Sequence, residues 1–441
     1  MKIAVAGTGY VGLVTGVCLA EHGHLVTCVD VDEAKVALMQ KGISPIYEEG
    51  LSELMKKNRD RLTYTTDYKA AYADKDVIII GVGTPEKKDG SANLSYVYAV
   101  AEQIAHSVTR DCIVVVKSTV PIGTNDKVEA LLNAKSDPSI HIHVASNPEF
   151  LAQGTAVRDT LHASRIVIGV EEPETGELLK TMYQEFDAPI LVTNRKSAEM
   201  IKYASNDFLA LKISYVNEIA LLCELVGADI DDVTRGMGYD PRIGNKFLQA
   251  GIGYGGSCFP KDTKALHWLA NFHDYEIKTI KAAIEVNENQ KLKPIKIARK
   301  YFDSLEGLTI AVLGLTFKPG TDDLREAPSL VNIPIMLDDG AHVKVWDPVG
   351  MENFKKRALG DIAYCDSIES TLEGADICFI FTEWPEIKNL DVSLFAKKMR
   401  QAIIIDGRNC YALARMEHEP VIYHSIGRRT ILNLKPEGTS E

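Results

Sequence analysis

No CxxC pair occurs among the eight cysteines, which stand at positions 18, 28, 112, 223, 258, 365, 378 and 410 without clustering. That spacing argues against a zinc site and against a disulfide framework, and reads as the reduced thiols of a cytoplasmic protein. Basic charge is in deficit: 49 Lys and Arg against 61 Asp and Glu give a net charge of −12. An acidic chain argues against a general nucleic-acid binder. It does not exclude an anionic small molecule, because a few local cations outweigh a distant negative surface. Long apolar runs are missing as well. Val77–Ile80 and Ile113–Val116 are of strand length, far too short to span a bilayer. The uncharged stretch from Ile3 to Ala20 imitates a signal peptide, but Gly7, Gly9, Gly12 and Gly16 lie inside it and Glu21 ends it. Glycine at that density weakens an inserted helix, and a strand, a glycine turn and a helix explain the stretch better. Neither metal, nucleic acid nor membrane is therefore expected as a partner.

What is present is ordinary globular composition, with 46% hydrophobic and 25% charged residues over 441 positions. That length predicts about three domains or lobes. Ile3–Ala6, Leu25–Val29, Val77–Ile80, Ile113–Val116, His141–Ala145 and Ile166–Val170 are short, apolar and rich in β-branched residues. They read as strands buried on both faces, with crossover helices between them, hence a parallel doubly wound sheet. From about Lys196 to Arg299 strand-like runs become scarce and helix formers dominate. Ile201, Ala204, Phe208 and Leu211 fall at helical spacing, as do Ile219, Leu222 and Val226.

The last third repeats the first. Thr309–Gly314 echoes Lys2–Gly7, Gly340–Asp347 echoes Gly23–Asp30, Ala375–Ile380 echoes Lys75–Ile80, and Ala402–Ile405 echoes Ile113–Val116. Four matched segments in one order signal an internal duplication. The second copy lacks the glycine-rich turn, since Gly314 runs into Leu-Thr-Phe-Lys-Pro. The expected fold class is therefore α/β: two Rossmann-like doubly wound parallel-sheet domains, residues 1–195 and 300–441, joined by a central helical region, 196–299. The second copy should not hold a dinucleotide in the usual way. The tail after about Lys435 is polar and expected to be loose.

Gly7-Thr-Gly9-Tyr10-Val11-Gly12 follows a predicted strand and opens a predicted helix. Gly7 permits the tight turn, Gly9 admits a pyrophosphate to the backbone amides, and Gly12 allows close helix–strand packing. Asp30 ends the next strand, where a carboxylate accepts hydrogen bonds from the adenosine ribose and repels a 2′-phosphate. NAD is favoured over NADP. Lys35, on the helix beyond, is the most ambiguous of the cofactor candidates, because a solvated helix lysine reads the same way.

Gly253-Tyr-Gly-Gly-Ser-Cys258-Phe-Pro-Lys261-Asp262 is the densest chemical signal. Cys258 stands beside a cation at what should be a helix start, both of which favour a thiolate. A thiolate attacks an electrophilic carbonyl. A dehydrogenase that only interconverts alcohol and carbonyl needs no covalent sulfur, whereas one that oxidises onward to an acid does. Lys202 and Asn206, four apart on a predicted helix, put an ammonium and an amide on one face, where they could hold a substrate oxygen that becomes an alkoxide.

These motifs together resemble the UDP-glucose/GDP-mannose dehydrogenase family, over essentially the whole chain. The resemblance also rests on Ser118-Thr119-Val120, Asn147-Pro-Glu149-Phe150-Leu151, Arg242-Ile-Gly-Asn-Lys-Phe247-Leu248 and Phe317-Lys318-Pro-Gly-Thr-Asp-Asp-Leu-Arg325. It implies two successive NAD-dependent oxidations at C6 of UDP-glucose, giving UDP-glucuronate and two NADH. It makes Cys258 the nucleophile, through a thiohemiacetal and a thioester. Lys202, Asn206 and Asp262 would handle acid/base work and the oxyanion, with a water near Thr119 and Asp262. Glu149 would assist hydrolysis and lie near the nicotinamide. Phe150, Leu151, the loop Phe247, Leu248 to Gly251, Gly255 and Lys318 would surround the UDP-sugar. Thr84, Thr119, Lys261 and Arg325 would contact NAD or close over it. Arg242 would reach the substrate of a neighbouring subunit in a homodimer. Read without the family, Glu149 is equally a helix-start carboxylate, Arg325 a partner of Asp322 or Asp323, and Arg242 an exposed loop residue.

Two other readings stay open. One is the same chemistry on another nucleotide sugar, GDP-mannose or a UDP-N-acetylhexosamine. The other is a non-catalytic NAD-binding protein, for which a lost nucleophile or acid/base group would be the mark.

Overall fold

Lys2–Ala6 (β1) is Lys-Ile-Ala-Val-Ala, buried from Ile3 onward. Apolar residues on both faces of a strand need cover on both faces, and a centrally placed parallel strand obtains it. In the computed structural model, which describes residues 1–434, β1 pairs in parallel with Leu25–Val29 (β2) on one side and Val77–Ile80 (β4) on the other. With Leu62–Thr65 (β3), Cys112–Val116 (β5), Ile142–Ser146 (β6), Ile166–Gly169 (β7) and Ile190–Thr193 (β8) they form one sheet, ordered β3-β2-β1-β4-β5-β6-β7-β8. Only β6 and β7 pair antiparallel, through Ser146 and Gly169. The reversal of order at β1 and β4 leaves the switch point at which such sheets bind ligands, beyond the strands' carboxyl ends.

The second sheet repeats the plan. Thr309–Leu313 (β9), His342–Trp346 (β10), Ile362–Tyr364 (β11), Ile377–Ile380 (β12), Ile403–Asp406 (β13), Ile422–Ser425 (β14) and Ile431–Leu432 (β15) are ordered β11-β10-β9-β12-β13-β14-β15, with β15 alone antiparallel. The four echoed segments thus occupy equivalent places in the two sheets, as a duplication requires. The polar tail lies outside the described residues.

The chain divides into two compact units: Met1–Ser205 with Lys264–Asp274, and Asn206–Thr263 with residue 275 onward. The region between the sheets is helical, as Arg195–Val226, Ile230–Gly238, Phe259–Phe272, Lys278–Lys291 and Lys293–Ala298. In the 32-residue helix Arg195–Val226 several of the apolar residues read at helical spacing are exposed. Ala204 and Phe208 are exposed, whereas Lys202, Tyr203, Asn206, Asp207, Ala210, Ser214 and Asn217 are buried. The buried seam is largely polar, and part of it satisfies neighbouring loops. Ser214 donates to the Ala283 carbonyl, and Asn217 accepts from the Gly251 amide. Phe208, Tyr215, Leu222, Leu225 and Val226 are left as an exposed apolar stripe. Among the described residues no helix is long and apolar enough to cross a membrane, and no cluster of His, Cys, Asp and Glu could hold a metal.

Candidate active site

In the first unit, β1 ends at Ala6 and Gly7 turns the chain with φ of 91°. Gly9 then caps the helix Tyr10–Glu21 without a side-chain capping hydrogen bond. The first amides are left for an anion, where the helix dipole favours one. The glycines differ in what they permit. A Cβ at Gly12 would stand 2.0 Å from the Gly7 carbonyl oxygen, whereas a Cβ at Gly9 meets nothing within 4 Å. Gly12 is required by packing, while the space at Gly9 suits a pyrophosphate. Gly9→Ala should therefore change the melting temperature little and weaken NAD binding at least about tenfold, roughly 1.4 kcal/mol. Gly12→Ala should destabilise the unit by several kcal/mol, on the order of an overpacked core. Thermal melting with titration of NAD checks both, and equal damage to stability by the two would contradict this division.

Asp30 follows β2 and accepts from the Thr8 amide at 2.9 Å, from the Thr8 hydroxyl, and from the Asp32 amide at 3.0 Å. Burial opposes its charge, but these hydrogen bonds and the Lys35 ammonium outweigh it and hold the carboxyl below its ordinary value. It is an anion at the place a ribose diol would occupy. Tyr10 donates to the Tyr47 carbonyl at 3.2 Å. The residues present thus fit NAD.

The loops after β4, β5 and β6 interlock beside this turn. Thr84 donates to the Thr119 carbonyl at 2.8 Å, and Ser118 to the Val82 carbonyl at 2.6 Å. Lys202, buried on its helix, donates to Glu149 Oε1 at 2.9 Å and to the Glu149 carbonyl at 2.6 Å. The Leu151 amide holds the other Glu149 oxygen at 2.8 Å. Phe150 lies under the Arg165 guanidinium, 3.8 Å from ring centre to carbon. Lys117, passed over in the sequence, is buried beneath this pair and donates to Asn147 Oδ1 at 3.0 Å. Burial pushes its amine down to about 8, against the pull of Glu149. Its position directly before Ser118-Thr119 was the available signal.

In the second unit, Cys258 immediately precedes the helix Phe259–Phe272, and its carbonyl accepts from the Asp262 amide at 2.8 Å. The thiol therefore sits at a helix N-terminus, partly exposed, with Sγ 3.8 Å from Ser257 Oγ. Asp262 is buried, and both its oxygens are engaged: Lys261 Nζ on Oδ1 at 2.5 Å and Asn206 Nδ2 on Oδ2 at 2.7 Å. The loop before Cys258 needs its glycines, since a Cβ at Gly255 would lie 2.5 Å from the Glu326 carbonyl oxygen and one at Gly256 2.8 Å from the Phe317 ring. Lys318 and Arg325 flank the same segment, with Arg325 held on Asp323 through three contacts of 2.6–3.0 Å. Arg408, absent from the sequence-derived candidates, ties the segments together through the carbonyls of Gly253 at 3.0 Å and Phe381 at 2.9 Å.

Phe247 adopts a positive φ of 62°, unusual for an aromatic residue, while Leu248 beside it is buried. Gln290 holds the Gly251 carbonyl at 2.7 Å. Arg242 is exposed and paired with Asp240 at 2.6 Å. In the second sheet the acid equivalent to Asp30 is Asp347, and it is turned inward. It accepts from the amides of Leu315, Thr316, Val349 and Gly350 and from the Trp384 indole. Its acceptor capacity is spent within the protein, so it has nothing left to offer a ribose.

Family models described as the NAD binding, central and UDP binding domains of the UDP-glucose/GDP-mannose dehydrogenase family match residues 1–187, 196–289 and 311–413. A UDP-glucose 6-dehydrogenase of Bacillus subtilis, YwqF, is 48% identical over 98% of this chain and 99% of its own. One from Rhizobium meliloti is 45% identical over 97% and 100%. Among solved structures, a UDP-glucose dehydrogenase of Pyrobaculum islandicum superposes with a TM-score of 0.90 at 37% identity, covering 95% of this chain and 96% of that one. A UDP-D-ManNAc dehydrogenase of Pyrococcus horikoshii does so at 0.86 and 29%, covering 97% and 99%.

Proposed function

The chain belongs to the UDP-glucose/GDP-mannose dehydrogenase family, and on that premise we propose that it oxidises C6 of UDP-glucose twice to give UDP-glucuronate. NAD, when bound at the glycine turn, accepts a hydride in each of the two oxidations. Every other element of the reaction falls to side chains. Lys202, or a water held by Asp262, takes the proton of the C6 hydroxyl. The Cys258 thiolate adds to the aldehyde carbon, and Lys202 and Asn206 donate to the oxyanion of the thiohemiacetal. The second oxidation leaves a thioester on Cys258, which a water activated by Glu149, Thr119 or Asp262 hydrolyses to the carboxylate. The balance is one UDP-glucose, two NAD and one water to one UDP-glucuronate, two NADH and three protons.

The observation that carries this reading is Cys258 at the first turn of a 14-residue helix, one turn before an Asp262 engaged by Asn206 and Lys261. Its test is substrate choice. With NAD in excess, UDP-glucose should be turned over with a kcat/KM on the order of 10²-fold above UDP-N-acetylmannosamine or GDP-mannose. The reverse preference would keep the chemistry and overturn the substrate.

Domain roles follow the same reading: residues 1–195 hold NAD, 300–441 the UDP moiety, and 196–299 carry the catalytic helix and a homodimer contact. The stripe Phe208, Tyr215, Leu222, Leu225 and Val226 supports the dimer, because an exposed apolar face of that length on a soluble helix calls for a partner. Arg242, exposed in the single chain, is then the residue that reaches the neighbouring subunit's substrate. Phe150, Leu151, Phe247, Leu248, Gly251, Gly255 and Lys318 surround the UDP-sugar, and Thr84, Lys261 and Arg325 close on NAD. The reduced thiols and the nucleotide substrates support a cytoplasmic location.

A further inference from the structure

Directly after Asn206, on the buried seam of the helix Arg195–Val226, stands a second carboxyl. Asp207 is 1% exposed, and neither of its oxygens has a hydrogen-bond partner among the described residues. The groups that act on it electrostatically are Asp262 and Lys261, and Asp207 in turn acts on the Tyr254 hydroxyl. Lys261 is already spent on Asp262 Oδ1 at 2.5 Å. The cluster thus holds two buried carboxyls and one partly buried ammonium, and the one donor-rich place is taken by Asp262. A carboxylate buried with neither a donor nor a cation of its own is strongly disfavoured against its protonated form.

We propose that Asp207 is a positioning residue for Asp262: a buried, proton-bearing carboxyl that leaves Asp262 as the single negative charge between Asn206 and Lys261. Burial, reinforced by Asp262 and opposed only by Lys261, pushes the Asp207 carboxyl up to about 8. The neutral state therefore persists through neutral pH. Its loss at alkaline pH puts a second negative charge beside Asp262. That charge competes for Lys261 and for the proton of the water Asp262 holds, so oxidation slows. This role rests on the reading that Asp262 acts in the oxidation.

The sign of the linkage gives a test that needs no turnover. Between the ordinary carboxylate range and about pH 8 the folded chain binds a proton at Asp207 that the unfolded chain does not. Stability from this group therefore falls as pH rises through that window. Asp207→Asn keeps the shape and fixes the neutral state. Its melting temperature should accordingly decline less between pH 6 and pH 9 than that of the unaltered protein.

In the same two proteins the alkaline limb of kcat for UDP-glucose oxidation should move upward by at least one pH unit in Asp207→Asn, with the KM for NAD unchanged. Superimposable melting slopes would overturn the protonated state. Unmoved limbs beside divergent slopes would overturn the positioning role. If neither protein reduces NAD with UDP-glucose, the reading of the reaction fails, and the melting comparison still decides whether Asp207 carries a proton. Should Asp207→Asn not fold, Asp207→Ala carries the same comparison, and it must lose the same pH-dependent slope.

Discussion

Cys258→Ser lowers UDP-glucuronate formation by about 10⁴-fold or more, the scale on which a covalent nucleophile's removal is felt, and leaves NAD affinity within about twofold. Cys258 is not among the residues of the glycine turn Gly7–Gly12 or the acid Asp30 that fit NAD. A hydroxyl at the helix N-terminus ionises far less readily than a thiol, and an oxygen ester is a poorer acyl donor than a thioester. The other cysteines supply the contrast for a test of the thiol. Burial pushes the thiols of Cys18 and Cys28 up to about 12, that of Cys112 to about 11 and that of Cys378 well above its ordinary value. Iodoacetamide at neutral pH should therefore modify Cys258 well ahead of these four, read by peptide mass spectrometry, and UDP-glucose should protect it. UDP-glucuronate production by Cys258→Ser within tenfold of the unaltered rate would exclude the covalent route.

Lys202→Met should act twice. The Lys202–Glu149 pair is 3% and 6% exposed, so deleting the ammonium leaves a buried carboxylate with the Leu151 amide and a more distant Lys117 charge. Breaking a buried pair from one side costs about 3–5 kcal/mol. Independently, loss of the donor to the oxyanion should reduce kcat by about 10²–10³. The double variant Lys202→Met/Glu149→Gln separates the two effects. It should recover most of the stability, because no buried carboxylate is left without its ammonium, and none of the rate. Recovery of both would make the pair purely structural, and urea unfolding with steady-state kinetics on the three proteins decides it.

The parts of this account that were legible in sequence are those whose cause is local. The turn Gly7–Gly12, the acid Asp30 and the thiol at a helix start each depend on residues within one supersecondary unit, and the duplication shows because four segments keep their order. Strands at sheet margins were not legible. Leu62–Thr65 alternates buried and exposed positions with two threonines, and Ile190–Thr193 is only half-buried, so neither has the continuous apolar run of a central strand. Ile422–Ser425 is fully buried but contains Tyr, His and Ser, which hides it from a hydrophobicity reading.

The buried face of the helix Arg195–Val226 was not legible for a related reason. Its buried seam holds Lys202, Asn206, Asp207, Ser214 and Asn217, and its apolar stripe is left outside. The residues overlooked at the site take their partners from far along the chain. Lys117 reaches Asn147, 30 residues on, and Arg408 reaches the Gly253 carbonyl, 155 residues back. Spacing along the sequence carries no trace of such contacts until the sheets bring them together.

The central claim is that one chain carries an alcohol to an acid on a single cysteine. Absorbance of NADH at the end point, with NAD in excess and a known, limiting amount of UDP-glucose, tests it most directly. Two NADH per sugar, with UDP-glucuronate as the product, is the predicted result. One NADH per sugar, with the reaction halted at the aldehyde, would contradict the role given to Cys258.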